Sequence, residues 1–196
     1  MSKIKTYKLC TLGKSGVGKS ALIASIVYDK FSTPEPTVGM ACLSKTIADT
    51  KVQIWDTAGQ ERFDSLVSSY IRSAHIVLLC TDETDIEAFK IEIRRLQLKV
   101  EDRNTKIFIV STKIDLSSVI DATDELAYIK TLNVYAPMEL WAATIGIPYY
   151  STSSKNSYGV NKLTLAIFNA CHQISIPSSV SVLTISNEPR YSYCSC

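Results

Sequence analysis

The 196-residue sequence predicts an α/β fold in which a doubly wound, mostly parallel sheet is flanked by helices. Short apolar segments rich in β-branched residues recur along the chain, and segments with helical spacing lie between them. The two kinds of segment alternate as far as about residue 175, which is typical of this fold class. Ligands of such sheets bind at the carboxyl ends of the strands, so the fold also predicts where a functional site lies.

The strand segments are mostly short apolar runs without alternation, which indicates strands buried on both faces. We predict strands at Ile4–Leu12, Lys51–Asp56, His75–Thr81, Lys106–Thr112 and Ile147–Ser151. Two helices are predicted from apolar residues spaced three and four apart. Their apolar stripes are Ile86, Phe89, Ile93, Leu96 and Val100, and Val160, Leu163, Ile167, Cys171 and Ile174.

Composition and charge exclude several classes of protein. A hydrophobic fraction of 46% suffices for one core, and a formal charge of +2 gives no basic face for nucleic acid, so we expect no nucleic-acid partner. The sequence lacks a signal peptide, a myristoylation signal and the apolar run of about 18 residues that a membrane span needs. We expect a monomeric cytoplasmic domain over residues 1–176, followed by a flexible Ser-rich tail over residues 177–196.

The cysteines form two groups. Four of them lie singly in apolar segments, which indicates reduced core cysteines of a cytosolic protein: Cys10, Cys42, Cys80 and Cys171. The other two, Cys194 and Cys196, lie at the end of the tail, where there is no core for them to join. They need a separate explanation.

The strongest local motif is a complete G-x-x-x-x-G-K-S over residues 13–20, placed between a predicted strand and a predicted helix. Its glycines allow backbone N–H groups to point at phosphate oxygens, Lys19 can bridge the β- and γ-phosphates, and the Ser20 hydroxyl can bind Mg²⁺. The predicted nucleotide contacts here are Ser15, Gly16, Val17, Gly18, Lys19, Ser20 and Ala21. The motif indicates a nucleoside triphosphate without choosing its base, so ATPases and kinases stay open at this point.

A second motif, Asp56-Thr57-Ala58-Gly59-Gln60, follows the next apolar strand. A carboxylate at the end of a strand beside the phosphate loop is placed to hold Mg²⁺, so Asp56 is a predicted metal ligand. The backbone N–H of Gly59 can reach a γ-phosphate, and Gln60 can orient an attacking water.

Together, GKSGVGKS and WDTAGQERF resemble the Ras superfamily of small GTPases, and the resemblance extends from Lys5 to about Ser175. It implies a switch that binds GTP or GDP with Mg²⁺ and slowly hydrolyses GTP to GDP and phosphate. It assigns Thr37 to the γ-phosphate and the metal, which gives Gln60, Lys19 and Thr37 as catalytic residues and Ser20, Thr37 and Asp56 as metal ligands. It also places Phe31 against the guanine, although a helix-end residue packed on the core is an alternative.

Two further segments are predicted to bind the base. The Asp115 carboxylate can accept from both N–H groups that guanine presents and adenine lacks, while the Lys113 stem can cover the face of the base. Ser153, Ser154 and Lys155 resemble the loop whose backbone meets the guanine oxygen. Most members of the superfamily have Asn where Thr112 stands and Ala where Ser154 stands, so we expect guanine binding with an altered affinity.

Within the superfamily, residues 53–75 and Gly39 resemble the Rab branch, which indicates a role in vesicle and membrane trafficking. The final Cys194-Ser195-Cys196 resembles the ending on which Rab proteins carry two geranylgeranyl groups. Because one lipid gives only marginal anchoring and the tail has no polybasic patch, two lipids are expected. The resemblance implies cycling to the cytosolic face of a membrane, with an exchange factor, a GTPase-activating protein, a GDP-dissociation inhibitor and effectors as partners.

Other features resemble the Rho branch or depart from both. Thr112 is Rho-like, and residues 117–132 lie where Rho proteins carry a helical insert. A short segment from Met40 to Thr50 predicts a stunted hairpin, and Cys42 replaces a Phe of the Rab effector site, so known Rab effectors are expected to bind poorly. Three hypotheses follow: a Rab-like GTPase, a Rho-like switch in cytoskeletal or signalling control, and a GTP-bound scaffold with little hydrolysis, for which Ser15 is the argument.

Overall fold

The computed structural model describes residues 4–37, 39–57, 70–82, 86–100, 104–116 and 137–174. Six strands form one sheet in the order β2-β3-β1-β4-β5-β6. They are β1 (Lys5–Leu12), β2 (Met40–Ile47), β3 (Thr50–Thr57), β4 (Ile76–Thr81), β5 (Lys106–Ser111) and β6 (Tyr149–Ser151). All neighbours pair in parallel except β2 and β3, which confirms the mostly parallel doubly wound sheet.

Helices cover both faces of this sheet. The longer ones are α1 (Lys19–Tyr28), α2 (Ile86–Val100) and α3 (Val160–Gln173), and residues 70–73 and 137–144 are also helical. A short 3₁₀ turn runs from Ile114 to Leu116. No helix of the described residues is long and apolar enough to cross a membrane.

The core has two layers, one on each side of the sheet. Leu22 of α1 and Leu163 of α3 belong to the first layer, and Ile93 of α2 belongs to the second. Consecutive residues of β4 alternate between them, with Leu78 in the first layer and Leu79 in the second. Because both faces are buried, the strand sequences show no polar alternation. The described residues of the two predicted helix stripes are all buried, which confirms both helices.

Strand ends differ from the predictions by one or two residues. The largest difference is in β6, which begins at Tyr149 instead of Ile147. Pro148 has no N–H to donate to a ladder, and the N–H of Ile147 bonds to the carbonyl oxygen of Ala142 at 3.1 Å. These two residues therefore approach the sheet without joining the strand.

The expectation of a hairpin that is stunted relative to Rab and Rho proteins stays a prediction, and the structure gives the length of the β2–β3 hairpin in this chain. The two strands pair over their full eight residues, from Met40 opposite Thr57 to Ile47 opposite Thr50. The connection is a two-residue turn in which Ala48 has φ 54°.

The prediction that Cys42 is a core cysteine is wrong, because its side chain is exposed, whereas Cys10, Cys80 and Cys171 are buried. It lies on the edge strand β2, next to Leu43, which packs against the core. Since successive strand residues point to opposite faces, Cys42 faces away from that core layer.

Gly159, the residue before α3, is under a strict steric constraint. Its φ is +69°, and a side chain there would overlap the carbonyl oxygen of Ser151 at the end of β6. Gly146 has a nearly identical φ of +68°, but no atom lies within 4 Å of the position its side chain would take.

A comparison of alanine substitutions at these two glycines therefore separates the cost of steric overlap from the cost of backbone strain. We expect Gly146→Ala to lower the free energy of unfolding by about 1 kcal/mol, the usual cost of a strained φ. Gly159→Ala should cost more, roughly 2–4 kcal/mol, because overlap with the backbone is added. Urea unfolding followed by circular dichroism measures both free energies. Equal losses of stability would contradict the predicted overlap between a side chain at position 159 and the Ser151 carbonyl oxygen.

Candidate functional site

The loop between β1 and α1 needs glycine at specific places. Gly13, Gly16 and Gly18 have φ angles of 134°, 75° and 103°, a region that other residues rarely adopt. A side chain on Gly13 would also overlap the carbonyl oxygen of Cys80 at the end of β4. The backbone of this loop can therefore curl against the sheet edge in a way that a non-glycine sequence could not.

Lys19 begins α1 and turns back over the loop. Its side chain is buried, and its Nζ donates to the carbonyl oxygens of Gly13 and Lys14, each at 2.8 Å. An ammonium has three N–H donors, so one remains for a ligand oxygen. Burial lowers the pKa of Lys19, and neighbouring groups that include Asp56 oppose this shift. The charge is thus fixed in position at the mouth of the loop.

Oxygen atoms from three separate elements converge beside Lys19. The Ser20 hydroxyl donates to Asp56 Oδ2 at 2.5 Å, and the Thr37 hydroxyl donates to the same oxygen at 3.2 Å. The two hydroxyl oxygens are 2.8 Å apart. Thr11 of β1 donates to Asp56 Oδ1 at 3.3 Å from the other side. We call Ser20, Thr37 and Asp56 the oxygen cluster.

The oxygen cluster fits a bound Mg²⁺. Hydroxyl and carboxylate oxygens are the ligands that this hard cation selects. Burial raises the pKa of Asp56, while hydrogen bonds from Ser20 and Thr37 and the charge of Lys19 act against that shift. A cation at the cluster would favour the ionised carboxylate in the same way, because opposite charge offsets the cost of burying it.

A second group of side chains lies at the ends of β5 and β6 and contacts the same loop. The Thr112 hydroxyl donates to the carbonyl oxygen of Val17 at 2.5 Å. Lys113, with φ 55°, donates from Nζ to the carbonyl oxygen of Gly16 at 2.5 Å and to Asp82 at 3.1 Å. Residues 112 and 113 therefore connect directly to the loop that follows β1.

Asp115 is held in place by a neighbouring hydroxyl. Ser153, which is fully buried after β6, donates from Oγ to Asp115 Oδ1 at 2.5 Å. The backbone of Ser153 is fixed in turn, since its N–H bonds to the carbonyl oxygen of Tyr158 at 3.0 Å. One carboxylate oxygen of Asp115 is thus oriented by the protein, while its side chain stays only half-buried and accessible to a ligand.

The remaining predicted site residues fall into two groups. Ser15, Ala21, Ser154 and Lys155 lie next to the loop after β1 or to the end of β6, and Phe31 lies in the segment after α1; all five are at least partly exposed. Phe31 is 46% exposed, which does not support the alternative that it packs on the core. Gly59 and Gln60, the insert over 117–132, and the tail with Cys194 and Cys196 lie outside the described residues.

Sequence reasoning missed three contributors. Thr11, which bonds to Asp56, is a fully buried polar residue inside an apolar strand, and that contrast is a usable signal. Asp82 follows β4 at the carboxyl edge and pairs with Lys113, a position that the fold class marks as functional. The role of the Ser153 hydroxyl depends on a contact across 38 residues, which no local pattern reveals.

His75 lies outside this site. Its Nδ1 accepts the backbone N–H of Lys8 at 2.9 Å, and its ring meets Tyr7 edge-on with centroids 5.7 Å apart. Burial lowers its pKa, so the neutral ring that accepts this bond is favoured. His75 therefore has a structural role between β1 and β4.

Comparison with known proteins agrees with this geometry. The Ras family profile matches residues 8–173, which includes every described element of the site. Two relatives from Arabidopsis thaliana, the Ras-related proteins RABD2c and RABD2b, are each 32% identical over 169 residues, covering 82% of this chain and 78% of the relative. The chain therefore belongs to the Ras family of small GTPases and is a Rab-like member that binds GTP or GDP with Mg²⁺ and hydrolyses GTP.

Proposed function

We propose that the described carboxyl edge of the sheet forms most of the nucleotide site, with a phosphate end and a base end. Lys19 and the oxygen cluster form the phosphate end, and Lys113, Asp115 and residues 153–155 form the base end. The observation that carries this proposal is the convergence of Ser20, Thr37 and Asp56 on one another within 3.2 Å, beside the buried Lys19. These three side chains come from three separate elements and present only oxygen ligands. The ammonium of Lys19 adds one positive charge held in place beside them.

At the phosphate end, the backbone N–H groups of residues 15–21 bind phosphate oxygens at the start of α1. Lys19 directs its third N–H to the β- and γ-phosphates, where negative charge collects during hydrolysis. Ser20, Thr37 and Asp56 would hold Mg²⁺, which would supply positive charge beside the phosphates. Gln60 orients the attacking water, and a GTPase-activating protein supplies an arginine to accelerate the step.

The switch follows from the position of Thr37. Its hydroxyl is the contact of the exposed segment 30–37 with Ser20 and Asp56, so the end of that segment is ordered only while the cluster is engaged. Loss of the γ-phosphate removes ligands on which Thr37 and Gly59 depend, and both segments are released. Effectors that bind the ordered form then dissociate.

At the base end, Asp115 selects guanine by accepting from its two adjacent N–H groups. Ser153 orients that carboxylate, and the Lys113 stem lies against Gly18, where a side chain would stand 3.5 Å from Lys113 Cε. Thr112 connects the base loop to the phosphate loop, because its hydroxyl donates to the carbonyl oxygen of Val17. Phe31 covers the other side of the base from its exposed position before Thr37.

In the cell, the chain acts as a Rab-like switch in vesicle trafficking, and its similarity to Rab relatives does not favour the Rho-like alternative. We propose that Cys194 and Cys196 are both geranylgeranylated and that the protein cycles between the cytosol, with a GDP-dissociation inhibitor, and a membrane. The spacing of the two cysteines at the end of the tail supports two lipids, since one chain gives only reversible binding.

The effector surface is expected to include the outer side of the β2–β3 hairpin. Trp55 and Tyr70 pack with ring centroids 5.4 Å apart, and Cys42 lies opposite Trp55 across the strand pair. A small exposed thiol opposite Trp55 offers less contact area than a phenylalanine. We therefore expect effectors with a shape different from those that bind the phenylalanine of the Rab effector site.

Removal of the Asp115 charge tests guanine recognition. Asp115→Asn should weaken GDP binding roughly 100-fold or more, because two hydrogen bonds to a charged group contribute about 1.5–3 kcal/mol each. Titration calorimetry with GDP and ADP measures this. Ser153→Ala is the matched variant and should lose less GDP affinity. It removes the hydrogen bond that orients the Asp115 carboxylate but leaves the carboxylate in place. An Asp115→Asn protein with unchanged GDP affinity would exclude Asp115 as the base contact.

The hydrolytic role of Gln60 is tested by single turnover. Gln60→Leu should slow GTP hydrolysis by roughly 10- to 100-fold, because the attacking water loses its orienting group, while GTP affinity changes little. Phosphate release from preloaded protein is the measurement, with ATP as the control nucleotide. If the Gln60→Leu variant hydrolyses bound GTP as fast as the wild-type protein does, another residue orients the water.

Lipid attachment is tested on the tail cysteines. In cells or in a prenylation extract, the wild-type chain should gain the mass of two geranylgeranyl groups and sediment with membranes. A single Cys196→Ser variant should bind membranes weakly and reversibly, and the double Cys194→Ser, Cys196→Ser variant should stay in the soluble fraction. Membrane recovery of the double variant equal to wild type would overturn the proposed anchoring.

A further inference from the structure

The segment between α1 and β2 is fixed at its two ends. Residues 30–36 are all exposed, and within the described part of the chain none of them makes a hydrogen bond. Thr37 holds the far end through the oxygen cluster. The near end is held by a separate contact, between Asp29 and Lys45, which the nucleotide site does not include.

Asp29 terminates α1 in a left-handed conformation. Its φ is 55°, and its N–H bonds to the carbonyl oxygen of Ser25 at 3.1 Å. The chain reverses direction here, so the orientation of Asp29 decides the direction in which residues 30–36 leave the helix. A contact that fixes Asp29 therefore fixes the start of the whole segment.

Lys45 makes that contact from the edge strand β2. It lies two residues from Leu43, on the face of the strand that packs toward α1, and its side chain is 17% exposed. Its Nζ donates to Asp29 Oδ1 at 2.9 Å, to Asp29 Oδ2 at 3.0 Å and to the carbonyl oxygen of Ile26 at 2.7 Å.

These three contacts join helix, loop and strand at one point. The Ile26 carbonyl belongs to the last turn of α1, where carbonyl groups lack helical partners and a cation is favourable. The same ammonium then reaches the carboxylate of the residue that starts the loop. Because the Lys45 stem is largely buried, its head group is held in one place, unlike that of a freely exposed surface lysine.

We propose that Lys45 is a positioning residue that latches the start of segment 30–36 to β2 and thereby slows release of the bound nucleotide. Phe31 stands two residues beyond Asp29, so a segment freed at Asp29 carries Phe31 away from the base end of the site. Loss of the contact between Lys45 and Asp29, which we call the latch, gives segment 30–36 additional open conformations without altering the oxygen cluster. This inference rests on the proposed function, since it concerns how long the site retains a guanine nucleotide.

The test measures nucleotide release from protein loaded with a fluorescent GDP analogue and Mg²⁺, chased with excess GDP. Lys45→Met keeps the aliphatic stem and removes the charge, and we expect release about tenfold faster, the factor that 1.4 kcal/mol represents. Asp29→Asn should give a smaller increase, because Lys45 keeps its bond to Ile26. Lys45→Arg keeps the cation on a larger, planar head group, so its release rate should lie between those of wild type and Lys45→Met.

Lys90→Met is the matched control. Lys90 pairs with Glu87 of α2 at 2.6 Å, with side-chain exposures of 26% and 81%, close to the 17% and 71% of Lys45 and Asp29. Lys90 lies on α2 and not beside segment 30–36. The Lys90→Met variant should therefore release nucleotide at the wild-type rate. Hydrogen exchange adds a readout of position: amides within residues 30–36 should exchange faster in loaded Lys45→Met and not in Lys90→Met.

The outcomes separate the latch from the proposed function. Wild-type protein that retains no guanine nucleotide would overturn both. Wild-type retention with unchanged release in Lys45→Met and Asp29→Asn, or with equal acceleration in Lys90→Met, would overturn the latch alone. If Lys45→Met does not fold, Asp29→Asn decides the question, because its side chain is 71% exposed and its replacement disturbs no core contact.

Discussion

The structure depends most on a single buried carboxylate at the end of β3. Asp56 is only 4% exposed, and its two oxygens accept from Thr11 of β1, Ser20 of α1 and Thr37 at the end of the exposed segment. A buried carboxylate without partners would cost several kcal/mol. The parallel pairing of β1 with β3 and the tight glycine loop bring two of those partners to it, and the third, Thr37, follows the exposed segment between α1 and β2.

The two ends of the site are mechanically linked through the loop after β1. Thr112 and Lys113 bond to the carbonyl oxygens of Val17 and Gly16, while the carbonyl oxygens of Gly13 and Lys14 hold Lys19. In the proposed site, the residues for the base and the residues for the phosphates therefore contact one loop.

The sequence was sufficient for the fold class because both core layers leave a clear pattern of apolar strands and amphipathic helices. The motifs that carry Lys19, Ser20 and Asp56 are local, so the sequence alone could propose these residues, and the structure brings them together. The sequence failed for Cys42, since the open face of an edge strand depends on the assembled sheet. The bonds of Ser153 to Asp115 and of Lys45 to Asp29 span 38 and 16 residues, and they could not be predicted because neither residue type specifies a partner.

The central claim is that this edge of the sheet holds one guanine nucleotide with one Mg²⁺. The most direct measurement is to purify the protein in Mg²⁺-containing buffer, denature it, and identify the released nucleotide by chromatography and the released metal by mass spectrometry. The account predicts close to one GDP or GTP and one Mg²⁺ per chain. An empty site, or an adenine nucleotide in place of guanine, would contradict it.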